Sequence, residues 1–93
     1  MAEYRSEYVS GKNYEILREG NCVHGGTYNI LNAGPRLILT IPKDSSSDVV
    51  ADIMGEVYSD HQWGVYYLKR TKRWCIAVSD LDQDKLEGCA KKL

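Results

Sequence analysis

Cys22, Val23 and His24 put a thiol and an imidazole two positions apart, and His61 is the only other histidine in the chain. A thiol beside an imidazole is the pairing of a nucleophile with its base. The surrounding run from Gly20 to Gly26 reads as a turn-rich loop, so Cys22 is expected to be exposed there. The plainer reading of the same residues is a solvated loop. A lone C-x-H lacks the paired spacing of a zinc site. Cys75 lies inside an apolar run and Cys89 on an apolar stripe, so both read as small core residues. Gly25-Gly26 lacks the G-x-x-x-x-G-K pattern and precedes a strand instead of a helix, which excludes a phosphate loop on context. No triad order or dinucleotide fingerprint is present. The chain is therefore expected not to be an enzyme and to carry no cofactor or metal, and a small thiol enzyme using Cys22 is the alternative.

A second set of residues suits recognition instead of catalysis. Asp44, Asp48, Asp52, Glu56 and Asp60 recur every four residues, interleaved with the apolar pairs Val49/Val50, Ile53/Met54 and Val57/Tyr58. This is an amphipathic helix with acids on one face. No Lys or Arg lies between Lys43 and Lys69. Like charges four apart on a helix cost about 0.2–0.5 kcal/mol a pair, and acids at the C-terminal end oppose the helix dipole. Solvated acids shift little in pKa and make poor general acids or bases. Asp48, Asp52, Glu56 and Asp60 are therefore expected to form a docking surface for a basic patch on a partner protein, of the kind that otherwise holds nucleic acid. A solvated face that keeps the domain soluble, or acids that approach the chain's own basic turn, explain the same pattern.

That basic turn is Lys69, Arg70, Lys72 and Arg73, flanked by Trp63, Tyr66, Tyr67 and Trp74. Cations beside aromatic rings are the ingredients of single-strand nucleic-acid binding. Strand alternation sends Trp63 and Tyr67 to one face and Tyr66 to the other, so the four rings do not form one platform. Nucleic-acid contact here is an alternative function, weak and salt-dependent.

The elements that must position these residues follow from periodicity and punctuation. Residues 1–12 read as a mobile arm and residues 13–93 as one domain. Strands are expected over 13–19, 27–32, 36–41, 62–69 and 73–79. Ala33-Gly34-Pro35 makes a tight turn, and Pro42 stops the third strand. The first helix is expected over 47–59, behind the N-cap oxygens of Ser45, Ser46 and Ser47. Ser79 or Asp80 is expected to cap a last helix with Leu86, Cys89, Ala90 and Leu93 inward. In that helix Asp80, Asp82 and Asp84 come first and Lys91 and Lys92 last, as the dipole prefers. Gly55 is expected to allow close backbone packing. The order βββαββα implies an α+β fold, a mainly antiparallel sheet of about five strands with both helices on one face.

At 93 residues the chain is one small domain, and its net charge of −1 selects neither nucleic acid nor membrane. No apolar run approaches the roughly 20 residues of a membrane span. The start, Met1-Ala2-Glu3-Tyr4-Arg5, has no apolar core of a secretory signal. Three cysteines without paired spacing imply reduced thiols, hence an expected cytoplasmic location. Seven Tyr and no Phe suit faces that tolerate partial exposure. An exposed sheet face is thus expected to allow a homodimer. The sequence as a whole implies a small protein-binding module, an inhibitor or regulator.

Overall fold

The computed structural model describes residues 14–59, 63–69 and 72–93. The element order is β1 (Glu15–Asn21), β2 (Thr27–Asn32), β3 (Leu37–Pro42), α1 (Ser47–Val57), β4 (Trp63–Leu68), β5 (Arg73–Val78) and α2 (Gln83–Lys92). The strands form one five-stranded sheet in the order β1-β2-β3-β5-β4, every neighbouring pair antiparallel. This is the expected α+β fold. The expected arm over 1–12 lies outside the described residues, as do Asp60, His61 and Arg70.

Alternation decides the faces. Leu37, Leu39 and Ile41 of β3 pair with Val78, Ile76 and Trp74 of β5, and these six point to the helices. Val50, Met54 and Tyr58 of the α1 region and Leu86, Cys89, Ala90 and Leu93 of the α2 region close over them. Each fully buried aliphatic or methionine side chain contributes about 1.5–3 kcal/mol. The intervening residues Ile38 and Cys75 face the other way, against Leu31 of β2. That second face was expected to be partly open. Leu31, Ile38 and Cys75 are instead buried, with Tyr14, Ile16, Ala33 and Ala77 packed against them.

β1 extends two residues beyond its expected end. Gly20 reads as a turn signal, but it pairs with Tyr28, whose ring lies so close that a Cβ at Gly20 would fall 2.5 Å from the phenolic oxygen. The register shifts between Ile16 and Arg18, a bulge that turns Leu17 and Arg18 toward the helices. The turn that follows needs glycine at Gly26, where φ is +78° and a Cβ would meet Pro42 at 2.3 Å.

Ser46 caps α1 by accepting a hydrogen bond from the Asp48 N–H at 3.2 Å. α2 starts later than expected because Asp80 is used otherwise. One Asp80 oxygen accepts from the Asp82 N–H at 2.8 Å and the other holds Lys85 Nζ at 2.9 Å. Asp82 is the cap, accepting from the Lys85 N–H at 3.1 Å.

Candidate functional site

Asp48, Asp52 and Glu56 lie along the outer face of α1 and are exposed. Beside them stand Val49, 37% exposed, and the exposed Ala51. Among the described residues none of the three carboxylates joins an ion pair. The last turn of α1 contains no basic residue. Described cations that do form ion pairs do so elsewhere, Arg18 with Asp84 and Glu87, Lys85 with Asp80. The acids do not reach the basic turn through any ion pair among the described residues. Gly55 does not mediate close packing either, since a Cβ there would meet nothing within 4 Å.

The basic turn is divided by the fold. Lys69 and Lys72 are exposed. Arg73 leaves the group: β5 alternation places it on the second face of the sheet, where Nη2 donates to the Thr27 and Thr40 carbonyls, the latter at 3.1 Å. The guanidinium thereby spans from β5 across β3 to β2. Lys72 has φ of +57°, a left-handed conformation that a side chain with a Cβ adopts at a cost of about 1 kcal/mol. Tyr67 and Trp74 form a tilted pair with centroids 5.0 Å apart, and the Trp74 indole donates to the Ser45 carbonyl at 2.9 Å. This ring pair joins the sheet to the residue before the α1 cap.

Cys22 corrects an expectation. It is 7% exposed and belongs to the core cluster, while His24 is exposed. The backbone explains the inversion: the Cys22 N–H donates to the Gly26 carbonyl at 2.9 Å, and the Gly25 N–H donates to the Cys22 carbonyl at 3.3 Å, closing a turn that tucks the thiol inward. Burial pushes the thiol pKa up. A protonated, enclosed thiol is a poor nucleophile. Cys75 and Cys89 are buried as expected, and burial raises the Cys89 pKa as well. Among the described residues no group of His, Cys, Asp and Glu is arranged to hold a metal ion.

One polar cluster gave no sequence signal. Arg18 of β1 donates to Asp84 and to Glu87 Oε1, the latter at 3.1 Å, and the Tyr28 hydroxyl donates to Glu87 Oε2 at 2.7 Å. Burial first, then this hydrogen bond, pushes the Tyr28 pKa up to about 12. The Tyr28 hydrogen bond, with help from Lys91 and Arg18, holds the Glu87 carboxyl below its usual range. Every partner in the cluster is supplied from within, so it fastens α2 to the sheet and offers little to a ligand. Its residues lie 59 to 69 positions apart in the chain, beyond the reach of any local pattern.

β4 is the other feature the periodicity concealed. It is an edge strand, and its residues Trp63 to Leu68 include no charge. The signal was present in the absence of Lys, Arg, Asp and Glu from six consecutive positions. No helix among the described residues is long and apolar enough to cross a membrane. Comparison with known proteins found no matching family model, no matching curated relative and no matching solved structure.

Proposed function

We propose that this chain is a non-enzymatic protein-binding module that presents the acidic face of α1 to a basic surface on a partner protein, as an inhibitor or regulator would. The observation that carries the reading is the row Asp48, Asp52 and Glu56, exposed, and without an ion pair among the described residues, on a helix whose C-terminal end has no cation. A basic partner would relieve both like-charge repulsion and the dipole mismatch, together about 1 kcal/mol before screening. Neighbouring Val49 and Ala51 supply apolar area beside the charge, as interfaces do. The recognised chemistry is a cluster of Lys and Arg of the sort that holds a phosphate backbone.

The test uses the triple variant Asp48→Lys, Asp52→Lys and Glu56→Lys against the unaltered chain in capture from host lysate, with and without nuclease. The reading expects proteins that elute with moderate salt, persist after nuclease and disappear with the variant. Equal capture by the two chains, with circular dichroism confirming the fold, defeats it.

A further inference from the structure

The register of the sheet gathers cations that lie far apart in the chain. Pro42 pairs with Arg73, and Arg73 with Leu68, so these three residues form one row across β3, β5 and β4. One position beyond that row, at the same end of the sheet, stand Lys43, Lys72 and Lys69, all exposed. Adjacent strands lie about 4.8 Å apart, so the three backbone positions fall within roughly 10 Å of one another. Among the described residues none of these lysines joins an ion pair. The acids that follow Lys43 are Asp44 and, in the first turn of α1, Asp48. The basic turn thus loses Arg73 to the second face and gains Lys43 from before α1. Lys72 stands at φ +57°, a conformation that favours glycine, so the fold keeps a long cation there against backbone preference.

Two rings adjoin the row. Tyr67 and Trp74 face each other across β4 and β5, one residue pair inward from Leu68 and Arg73. Both are half-buried, so each ring keeps some surface open to solvent. The Trp74 indole donates to the Lys43 carbonyl at 3.3 Å as well as to Ser45, which fixes the ring pair beside the first lysine of the row.

We propose that this end of the sheet binds single-stranded nucleic acid, with phosphates at Lys43, Lys69 and Lys72 and a base stacked on Tyr67 beside Trp74. Charge alone draws any polyanion. The ring pair favours one that carries bases, since a lipid headgroup or an acidic side chain has no flat ring to lay against it. A duplex keeps its bases stacked on one another and presents none to Tyr67. The inference assigns no contact to Asp48, Asp52 or Glu56, so it stands or falls apart from the acidic-face reading.

Fluorescence anisotropy of a labelled oligothymidylate of about ten residues, titrated with the full chain across a salt series, tests it. The slope of log affinity against log salt should be about −2, since each of three single-strand phosphate contacts contributes about 0.7. Lys72→Gly removes one cation and suits the backbone at that position, so the fold is kept while the slope shrinks by about 0.7. Tyr67→Leu leaves the slope unchanged and weakens binding about tenfold. Circular dichroism checks the fold of both variants. No binding at low salt, a slope indifferent to Lys72→Gly, an affinity indifferent to Tyr67→Leu, or competition by inorganic polyphosphate as effective as by unlabelled oligothymidylate overturns the proposal.

Discussion

α2 opens with Asp84 behind an Asp82 cap, ends with Lys91 and Lys92, and reaches the sheet through Glu87. α1 opens comparably, with Ser46 and Asp48, then carries Asp52 and Glu56 and ends without a cation. Both helices bury their inner faces fully, at Val50 and Met54 in one and at Leu86 and Ala90 in the other. The difference lies on the outer faces. α2 meets its dipole and several of its charges from within the fold, through Arg18, Asp80 and its own sequence. α1 is held by packing against its electrostatics. A surface mismatch of about 1 kcal/mol is small beside two buried side chains at about 1.5–3 kcal/mol each, which is why the fold tolerates α1 and why its outer face is available for another purpose.

The sharpest way to break the comparison is at the shared interior. Leu86→Ala on α2 and Met54→Ala on α1 should each lower stability by about 2–5 kcal/mol in denaturant unfolding, because both side chains are fully buried. Equal sensitivity shows that packing supports both helices; a much smaller loss at Met54 would mean α1 is held by something else. Removing the caps is the next largest step. Asp82→Ala and Ser46→Ala should each cost about 1 kcal/mol. Asp82→Ala should cost the more, since an acid at that position also meets the helix dipole.

Gly55→Ala should then raise stability by about 1 kcal/mol, given that nothing stands within 4 Å of the added carbon. No gain would show that α1 needs the glycine for a reason its surroundings do not reveal. Charge reversal is smaller and separates the helices by sign. Glu56→Lys should stabilise and Lys91→Glu destabilise, each by about 0.3–1 kcal/mol at low salt, with both effects fading as salt rises.

Acid titration isolates the attachment that α2 has and α1 lacks. The Glu87 pKa is lowered in the folded chain, chiefly by the Tyr28 hydroxyl. Its contribution is therefore present above the unfolded glutamate pKa and is lost as pH falls through the folded value. Tyr28 behaves in the opposite sense. Its pKa rises to about 12, so its contribution is complete below the unfolded tyrosine value and disappears as pH climbs toward 12. Glu87→Gln should flatten the acid limb of a stability-versus-pH curve. An unchanged limb would show that other carboxylates govern it.

Local pattern revealed much of this architecture. β2 occupies the span that alternation assigns it, β3 ends at Pro42, and Trp74, Ile76 and Val78 share the core face. Short-range chemistry gave these, through side-chain period, proline and capping oxygens. What stayed hidden depends on neighbours distant in the chain. Gly20 reads as a turn but lies in a strand because Tyr28 lies across it. Cys22 looks exposed among glycines until the Gly26 turn folds it inward. Arg73 looks like one of four surface cations until strand order places two backbone carbonyls beneath it. The acidic row on α1 was legible in full as far as Glu56, since a helix face is a local property.

Sheet order also bears on how the molecule assembles. β1, β2 and β3 pair in sequence, and β4 pairs with β5 across one short turn, so each group closes by nearby contacts. The groups meet along one line, the six residue pairs from Leu37–Val78 to Pro42–Arg73. That seam closes the widest loop in the sheet, and topology makes such distant closures slow. The part of the chain after α1 is thus held to the part before it twice, along that seam and through α2, whose Glu87 meets Arg18 and Tyr28, and a nick near α1 should leave fragments able to find each other again.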